Sequence, residues 1–576
     1  MFITEQSLHN GTWQAFERTI CRLIAHEGFE GTRLVGRTGD KGADIIAYKN
    51  GKRWLFQAKH WKNKVGVDVV DQTIAAVQLY RAHIPAIVSL SGFDDEAREH
   101  QRALLSRGIP LQLITADDLV RRSSRLVERE DSPVTLKDYQ EEAVQTLVRA
   151  FKESYDPRGL VVMATGLGKT VTAAETLRRI NNLNPVKVLV LAHTNELVYQ
   201  LERSFWRFLK PNQATLIWNG YEQPSEDEVR RAQYVFGCLN TISNFLSTGG
   251  TLDTFNIVLI DECHHVGGNM YANILEHTAA GKRGGPFLIG LTATPWRPDE
   301  KDLQEIFGPP LVCVDMVTGL RRGFLSNVDY RMYTDNINWD ALASIHGERL
   351  SPRQINRTLF ITQWDDSVVF ELQKAWKEQR NPRAIVFCGT IDHAITMRDR
   401  INALGFCNAA AIYSQTSSGF SMSSYDRNKV LCDFHDGVVN VICAVDIFNE
   451  GVDVPDVNII VFQRVTHSRR IFIQQLGRGL RLAQDKDKVV VLDFVSDIRR
   501  FAAGISLKDN LSAGSEDSQR SVRINLPHKV SFVRVGAEDP KTEGFLRQWL
   551  DDVAAIEDAG EDASVLKFPP RLSGGR

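Results

Sequence analysis

The stretch Gly159-Leu-Val-Val-Met-Ala164-Thr165-Gly166-Leu-Gly168-Lys169-Thr170 decides the fold. An apolar strand runs into a glycine-rich turn, and a helical pattern opens at the lysine. This strand–loop–helix context is what a phosphate-binding loop requires. Glycines let backbone N–H groups wrap an anion, Lys169 offsets charge on the outer phosphate oxygens, and the Thr170 hydroxyl is a ligand for Mg²⁺ at a helix N-terminus. Thr165, Gly166 and Gly168 complete the cradle. Met163 stands where the general pattern opens with glycine.

Working outward, short apolar strands alternate with helical patterns. Strands are expected at Gly159–Ala164, Val186–Ala192, Tyr234–Leu239, Ile257–Asp261 and Phe287–Thr292, and again at Ala384–Cys388, Val439–Ala444, Ile459–Gln463 and Val489–Phe494. Such alternation predicts two α/β domains in tandem, each built on a parallel sheet. Ninety-two residues after Lys169, the strand Ile257-Val-Leu-Ile260 delivers Asp261-Glu262-Cys-His-His265. Acids at the end of a buried strand suit a nucleotide site: Asp261 to hold Mg²⁺ through water, Glu262 to deprotonate the water attacking the γ-phosphate. His264 and His265 read as contacts to the second domain.

Upstream, residues 1–127 read as helix, three strands, helix, strand, helix, strand, helix, a separate α/β unit. Residues 128–134 form a charged, proline-bearing linker. The first parallel-sheet domain then spans 135–318 and the second 319–500. The extension 501–576 carries nine acids against two basic residues between Gly536 and Asp562, the composition of a peripheral or partly disordered segment.

The chain has 576 residues, 43% hydrophobic and 24% charged, with a formal net charge of -2. No stretch approaches the roughly 20 apolar residues of a membrane span, and the first residues lack a secretory pattern, so a cytoplasmic protein without membrane contact is expected. Eight cysteines lie scattered without C-x-x-C spacing, which suggests neither a disulfide framework nor structural zinc. Overall charge gives no sign of nucleic-acid binding, but Lys49, Lys52, Arg53, Lys59, Lys62 and Lys64 fall between Ile45 and Val67 with no acid among them. By charge alone this run is either a solvated edge or a phosphate-contacting surface.

The same region holds a second candidate site. Asp44 precedes the strand Ile45-Ile-Ala-Tyr48, a turn follows at Lys49-Asn-Gly-Lys52, and Arg53-Trp-Leu-Phe-Gln57-Ala-Lys59 returns. Period 2 puts Gln57 and Lys59 on one face. A carboxylate to hold Mg²⁺, a neutral amide to complete its coordination and a lysine to position water make a phosphodiester-cutting site. By spacing alone, an exposed hairpin of ordinary polar residues is the better fit.

Residues 135–500 resemble superfamily 2 helicases, especially the motor subunits of type I and type III restriction enzymes. Asp138-Tyr-Gln140 is similar to the adenine-sensing element, Leu191-Ala-His-Thr-Asn-Glu-Leu197 and Asn240-Thr-Ile242 to DNA-backbone contacts, and Thr292-Ala-Thr294-Pro to the element coupling hydrolysis to movement. Ile385-Val-Phe-Cys388 precedes a nucleic-acid segment. Glu450-Gly451-Val-Asp453 and Gln474-x-x-Gly477-Arg478-x-x-Arg481 resemble the last two motifs. The resemblance implies nucleotide contacts at Gln140, Gly451, Asp453 and Gln474, with Arg478 and Arg481 as arginine fingers one helical turn apart.

Residues 12–122 resemble the Mrr-like branch of restriction-endonuclease folds through Trp13-Gln-Ala-Phe-Glu17 and Gln57-Ala-Lys-His-Trp-Lys-Asn-Lys-Val-Gly-Val-Asp68. Glu17, Asp44, Gln57 and Lys59 then occupy the catalytic places, with glutamine replacing the second acid of the broader superfamily. Asp44, Gln57, Thr170 and Asp261 are the expected metal contacts. Together the resemblances imply an ATP- and Mg²⁺-dependent translocase that cuts double-stranded DNA, in restriction or anti-phage defence, with specificity subunits as partners. A remodelling motor whose N-terminal unit only binds DNA, and a DNA-repair nuclease-helicase, stay open.

Overall fold

The computed structural model describes residues 2–35, 42–126, 134–153, 155–252, 254–263, 269–293, 303–314, 318–319, 322–333, 348–350, 365–413, 422–445, 457–463, 482, 486, 488–494, 531–535 and 566–568. The first sheet has five strands in sequential order, β1 (Glu30–Leu34), β2 (Ile45–Lys49), β3 (Lys52–Lys59), β4 (Ile84–Ser89) and β5 (Gln112–Thr115). β1 to β3 are antiparallel neighbours, whereas β3, β4 and β5 run parallel. The β2–β3 turn has Asn50 at φ 52° and Gly51 at φ 70°. Two left-handed residues in a two-residue hairpin are what Asn-Gly supplies. Helices Trp13–His26 and Ala116–Ser124 cover one face through Phe16, Ile20, Leu23 and Leu119 against Phe56, Ala58 and Val88. Helices Val67–Leu79 and Asp95–Ser106 cover the other.

The second sheet is wholly parallel, in the order β12-β6-β11-β10-β7-β9-β8. Its strands are β6 (Arg158–Met163), β7 (Val188–Ala192), β8 (Thr215–Trp218), β9 (Tyr234–Cys238), β10 (Ile257–Ile260), β11 (Phe287–Thr292) and β12 (Pro310–Val314). β7, β9, β10 and β11 are buried at every position, which is why they read as continuous apolar runs. β6 lies between β11 and β12 although β7 follows it in sequence. The chain therefore reverses its direction of winding beside the phosphate-loop strand, the place where open α/β sheets bind ligands.

The third sheet, β16-β17-β15-β18-β19-β13-β20, is also parallel. It comprises β13 (Asn327–Tyr333), β15 (Ala384–Phe387), β16 (Ala409–Ile412), β17 (Val441–Ala444), β18 (Ile459–Phe462), β19 (Lys488–Phe494) and β20 (Ser531–Val535). β14 (Glu348–Leu350) pairs antiparallel with β21 (Leu566–Phe568). The α/β class with an N-terminal sheet unit and two tandem parallel sheets is as expected from the sequence. The C-terminal extension does more than its acidity suggests, contributing β20 to the third sheet and β21 to the small pair.

The N-terminal unit is seated on both larger ones. From helix Trp13–His26, Arg18 reaches Glu202 (Nε to Oε2, 3.1 Å) and Glu222 of the second-sheet unit, all three side chains no more than 9% exposed. Tyr199 donates to the same Glu222 at 3.0 Å. Burial alone would lower the Arg18 pKa, but the two carboxylates outweigh it and hold the guanidinium above its ordinary value. One turn on, Arg22 donates to the carbonyl of Gln213 at 2.8 Å, and burial pushes it down to about 10. On the opposite side, Arg53 pairs with Asp436, Tyr48 donates to Asp436 at 3.0 Å and stacks on His435 at 4.5 Å. The Asn428 amide donates to Val35 O at 3.2 Å. Those partners belong to the third-sheet unit.

Arg18→Ala leaves two buried carboxylates facing each other without their cation. Breaking a buried pair in this way costs about 3–5 kcal/mol. The expected outcome is a lower first unfolding transition and faster amide exchange in helix Trp13–His26, with Arg18→Lys intermediate. Exchange rates matching wild type would show that the triad does not anchor the unit.

Candidate active sites

The glycine-rich turn before helix Lys169–Leu183 uses both of its glycines in the left-handed region. Gly166 and Gly168 have φ of +93° and +83°, and Gly168 caps the helix Lys169–Leu183 from the left-handed region. A Cβ on Gly168 would stand 2.4 Å from Gln140 Nε2. Both ends of the Gln140 amide are engaged: Nε2 donates to Leu167 O at 2.9 Å and Oε1 accepts from Lys137 N at 3.0 Å. Tyr139, the middle residue of the Asp138-Tyr-Gln140 motif, also donates to Leu167 O at 3.0 Å. In this structure Gln140 thus braces the loop, and contact with an adenine edge needs these bonds exchanged.

β10 brings Asp261 and Glu262 opposite that loop. Lys169 Nζ lies 2.9 Å from Glu262 Oε1. Glu262 has φ +46°, a left-handed conformation costing a non-glycine residue roughly 1–2 kcal/mol. Asp261 Oδ1 is buried with no hydrogen-bond partner among the described residues. Burial, followed by the charge of Glu262 and against the pull of Lys169, raises the Asp261 carboxyl to about 6. A buried, underused carboxylate oxygen close to Lys169, the first residue of the helix, fits a hard divalent cation. Thr194 caps helix Asn195–Phe205 by accepting from Leu197 N. Asn240 is exposed at the start of helix Leu239–Ser247, while Ile242 is core. Thr292 is buried at the end of β11 and Cys388 at the end of β15. His264, His265, Thr294, Glu450, Gly451, Asp453, Gln474, Gly477, Arg478 and Arg481 lie outside the described residues.

The raised Asp261 pKa makes a signed prediction. In nucleotide-free protein this group favours the fold below its unfolded pKa of about 4, and that contribution is lost as pH rises through about 6. A magnesium nucleotide held through Asp261 would need the anion. Its stabilising shift in melting temperature should therefore be smaller near pH ~5.5 than near pH ~7.5, and Asp261→Asn should flatten the difference. Equal shifts at both pH values in wild type would remove Asp261 from metal binding.

The second site is an open cleft of ≈ 640 Å³ on the N-terminal unit, whose walls include Glu17, Asp44, Lys59, Trp13 and Trp61. Three elements converge there: helix Trp13–His26 brings Glu17, the start of β2 brings Asp44, and the end of β3 brings Lys59. Asp44 Oδ2 accepts from Ala58 N at 2.6 Å, fixing one carboxylate oxygen on the neighbouring strand. Glu17 and Asp44 are 8% and 6% exposed.

Gln57 is placed differently. It is fully buried behind the cleft against helix Val67–Leu79. With its carbonyl turned to Lys59 it accepts from Nζ at 2.9 Å, while its NH₂ donates to Thr73 Oγ1 and, at 3.3 Å, to Val69 O. Gly42, at φ +91°, lies close enough that a Cβ would strike the Gln72 side chain at 2.8 Å. Among the described residues no three His, Cys, Asp or Glu side chains converge on a metal position. A cation here would rely on two carboxylates, neutral oxygens and water, a donor set suited to Mg²⁺. Arg53 leaves the basic surface anticipated for this hairpin. It is 1% exposed and faces Asp436, whereas Lys52, Lys62 and Lys64 are exposed.

The N-terminal unit thus carries an acid- and lysine-lined cleft and the second-sheet unit a glycine-rich loop facing two acids, and comparison with known proteins finds a family match for each unit. Residues 8–123 match the family described as restriction endonuclease, residues 133–297 that described as type III restriction enzyme, res subunit, and residues 367–483 the helicase conserved C-terminal domain. In chain order, a restriction-endonuclease domain match is followed by matches to a type III restriction res-subunit domain and a helicase C-terminal domain.

Among particular relatives, it is 27% identical over 63% of its length to the putative mitochondrial ATP-dependent helicase irc3 of Schizosaccharomyces pombe, covering 58% of that protein. It is 24% identical over 78% of its length to the putative ATP-dependent helicase IRC3 of Saccharomyces cerevisiae, covering 64%. With the type I restriction enzyme EcoAI endonuclease subunit of Escherichia coli it shares 26% identity over 75% of its length, covering 56%. The chain thus spans roughly three-fifths of each relative. A solved structure of the ATP-dependent type ISP restriction-modification enzyme LlaBIII bound to DNA aligns over 97% of this chain and 43% of that one, with a TM-score of 0.51 and 16% identity, a likeness of fold. No helix among the described residues is long and apolar enough to cross a membrane.

Proposed function

We propose that this protein is an ATP-dependent DNA translocase whose N-terminal domain cleaves the phosphodiester backbone of double-stranded DNA, a cytoplasmic enzyme of restriction or antiviral defence working with specificity subunits. The observation that carries this reading is the convergence of Glu17, Asp44 and Lys59 in one cleft on a domain anchored to the motor. Bound Mg²⁺ would supply charge neutralisation at the scissile phosphate, held by Asp44 and Glu17. Lys59 is placed to orient a water and stabilise negative charge. In the motor, nucleotide binding must draw Lys169 from Glu262 towards phosphate, which frees the carboxylate to accept the proton of the attacking water.

The docking geometry supports coupling between the two activities. Helix Trp13–His26, bearing Glu17, is tied through Arg18 to one motor domain, whereas the hairpin bearing Lys59 is tied through Arg53 to the other. Opening or closing of the motor pulls on the two halves of the cutting site separately. One observation favours the alternative, a remodelling motor that binds without cutting: the Gln57 amide is spent on helix Val67–Leu79 and lies behind the cleft.

The test is supercoiled plasmid incubated with full-length protein and Mg²⁺, with ATP, with a non-hydrolysable analogue, and without nucleotide. Nicking or linearisation that is fastest with ATP is expected. DNA-stimulated ATP hydrolysis without cleavage of unmodified, methylated or single-stranded DNA would select the remodelling motor.

A further inference from the structure

Trp13 and Trp61 are 50% and 45% exposed, and both stand on the wall of the cleft that holds Glu17, Asp44 and Lys59. Neither is on a loose backbone. Trp13 opens its helix, whose cap Thr12 accepts from Ala15 N at 3.1 Å. Trp61 follows His60, which faces inward with Nε2 2.8 Å from Leu8 O and its ring 5.2 Å from Phe16. The Trp61 carbonyl in turn accepts from the Ser91 hydroxyl. Each indole is therefore held out in water by an anchored main chain, although a tryptophan gains most by burial.

The cationic surroundings identify the occupant. Lys59 Nζ stands 5.1 Å from the Trp61 ring centroid, and Lys62 and Lys64 are exposed just beyond. Aromatic faces interleaved with lysines match a nucleic-acid strand, whose bases stack on π-faces while its phosphates meet the cations. An indole can stack only on a base whose face is uncovered. Inside a continuous duplex both faces are covered by neighbouring bases.

We propose that Trp13 and Trp61 form a stacking rim that holds unpaired nucleobases beside the cutting site, so that the cleft takes DNA at a flap, gap, end or extruded base. The proposal rests on reading the cleft as a DNA site. It adds a substrate preference: strand junctions of the kind a translocating motor leaves behind it.

The test uses full-length protein without ATP, in Ca²⁺ to prevent cutting, with oligonucleotides carrying 5-iodouracil in a single-stranded flap or within a continuous duplex. Irradiation should join the flap to peptides containing Trp61 and Trp13, with much weaker adducts from duplex. Trp61→Leu should remove its adduct, and Trp61→Phe should keep it. In Mg²⁺, Trp61→Ala and Trp13→Ala should each raise KM for flap cleavage about tenfold, a far larger change than in the KM for duplex cleavage. Adducts mapping only to the motor, or identical flap and duplex kinetics in both tryptophan variants, would overturn the rim while leaving the nuclease reading intact. Adducts at Trp61 without cleavage of any substrate would keep the rim and overturn the nuclease.

Discussion

Glu262→Gln is expected to slow DNA-stimulated ATP hydrolysis by about 10²–10⁴-fold while nucleotide still binds at least as well. The asymmetry comes from the 2.9 Å pair between Lys169 and Glu262. In the nucleotide-free state that pair holds Lys169 away from phosphate, so binding must break it. Glutamine keeps the shape but removes the charge, and it therefore weakens the competitor to phosphate while deleting the proton acceptor. Lys169→Ala should behave in the opposite manner, losing binding and hydrolysis together. Phosphate release measured beside titration with a fluorescent ATP analogue separates the two outcomes. Hydrolysis within tenfold of wild type would exclude Glu262 as the base. Lost nucleotide binding would instead show that its left-handed backbone and side chain shape the loop.

Much of this architecture was legible because it rests on local constraints. Gly166 and Gly168 sit where positive φ is needed, and the buried strands β7, β9, β10 and β11 are too apolar to be anything else. What escaped lies at edges and between domains. β8 is a four-residue edge strand with two half-buried positions, and β16 is Ala-Ala-Ala-Ile, which suits a helix as well as a strand, so neither is marked out by its sequence. Alternation placed Gln57 and Lys59 on one face correctly, but it could not show that Thr73 would engage the amide from a helix. Arg53 looked like one more cation in a basic run. Its partner Asp436 is almost 400 residues away, a separation across which periodicity carries no information.

The N-terminal cleft yields the second large effect, and the choice of substitution decides what is learned. Asp44→Asn is expected to lower DNA cleavage by at least ~10²-fold with ATP hydrolysis unchanged. An asparagine oxygen can still accept from Ala58 N, now 2.6 Å from Asp44 Oδ2, so the strand ends stay joined and the fold is kept. What disappears is the negative charge that would hold Mg²⁺. Lys59→Ala should cause a loss of similar size by another route, removing the cation from a site whose carboxylates remain. The two should therefore differ in metal dependence: raising Mg²⁺ or substituting Mn²⁺ partly restores Asp44→Asn and does nothing for Lys59→Ala. Gln57→Ala is the discriminating third variant. If the amide stays behind the cleft, its loss acts by loosening Lys59 and follows the Lys59→Ala pattern. If the amide turns forward to meet a metal, Gln57→Ala follows Asp44→Asn and responds to added metal. Full cleavage by all three variants would mean that this convergence of side chains is not the cutting site.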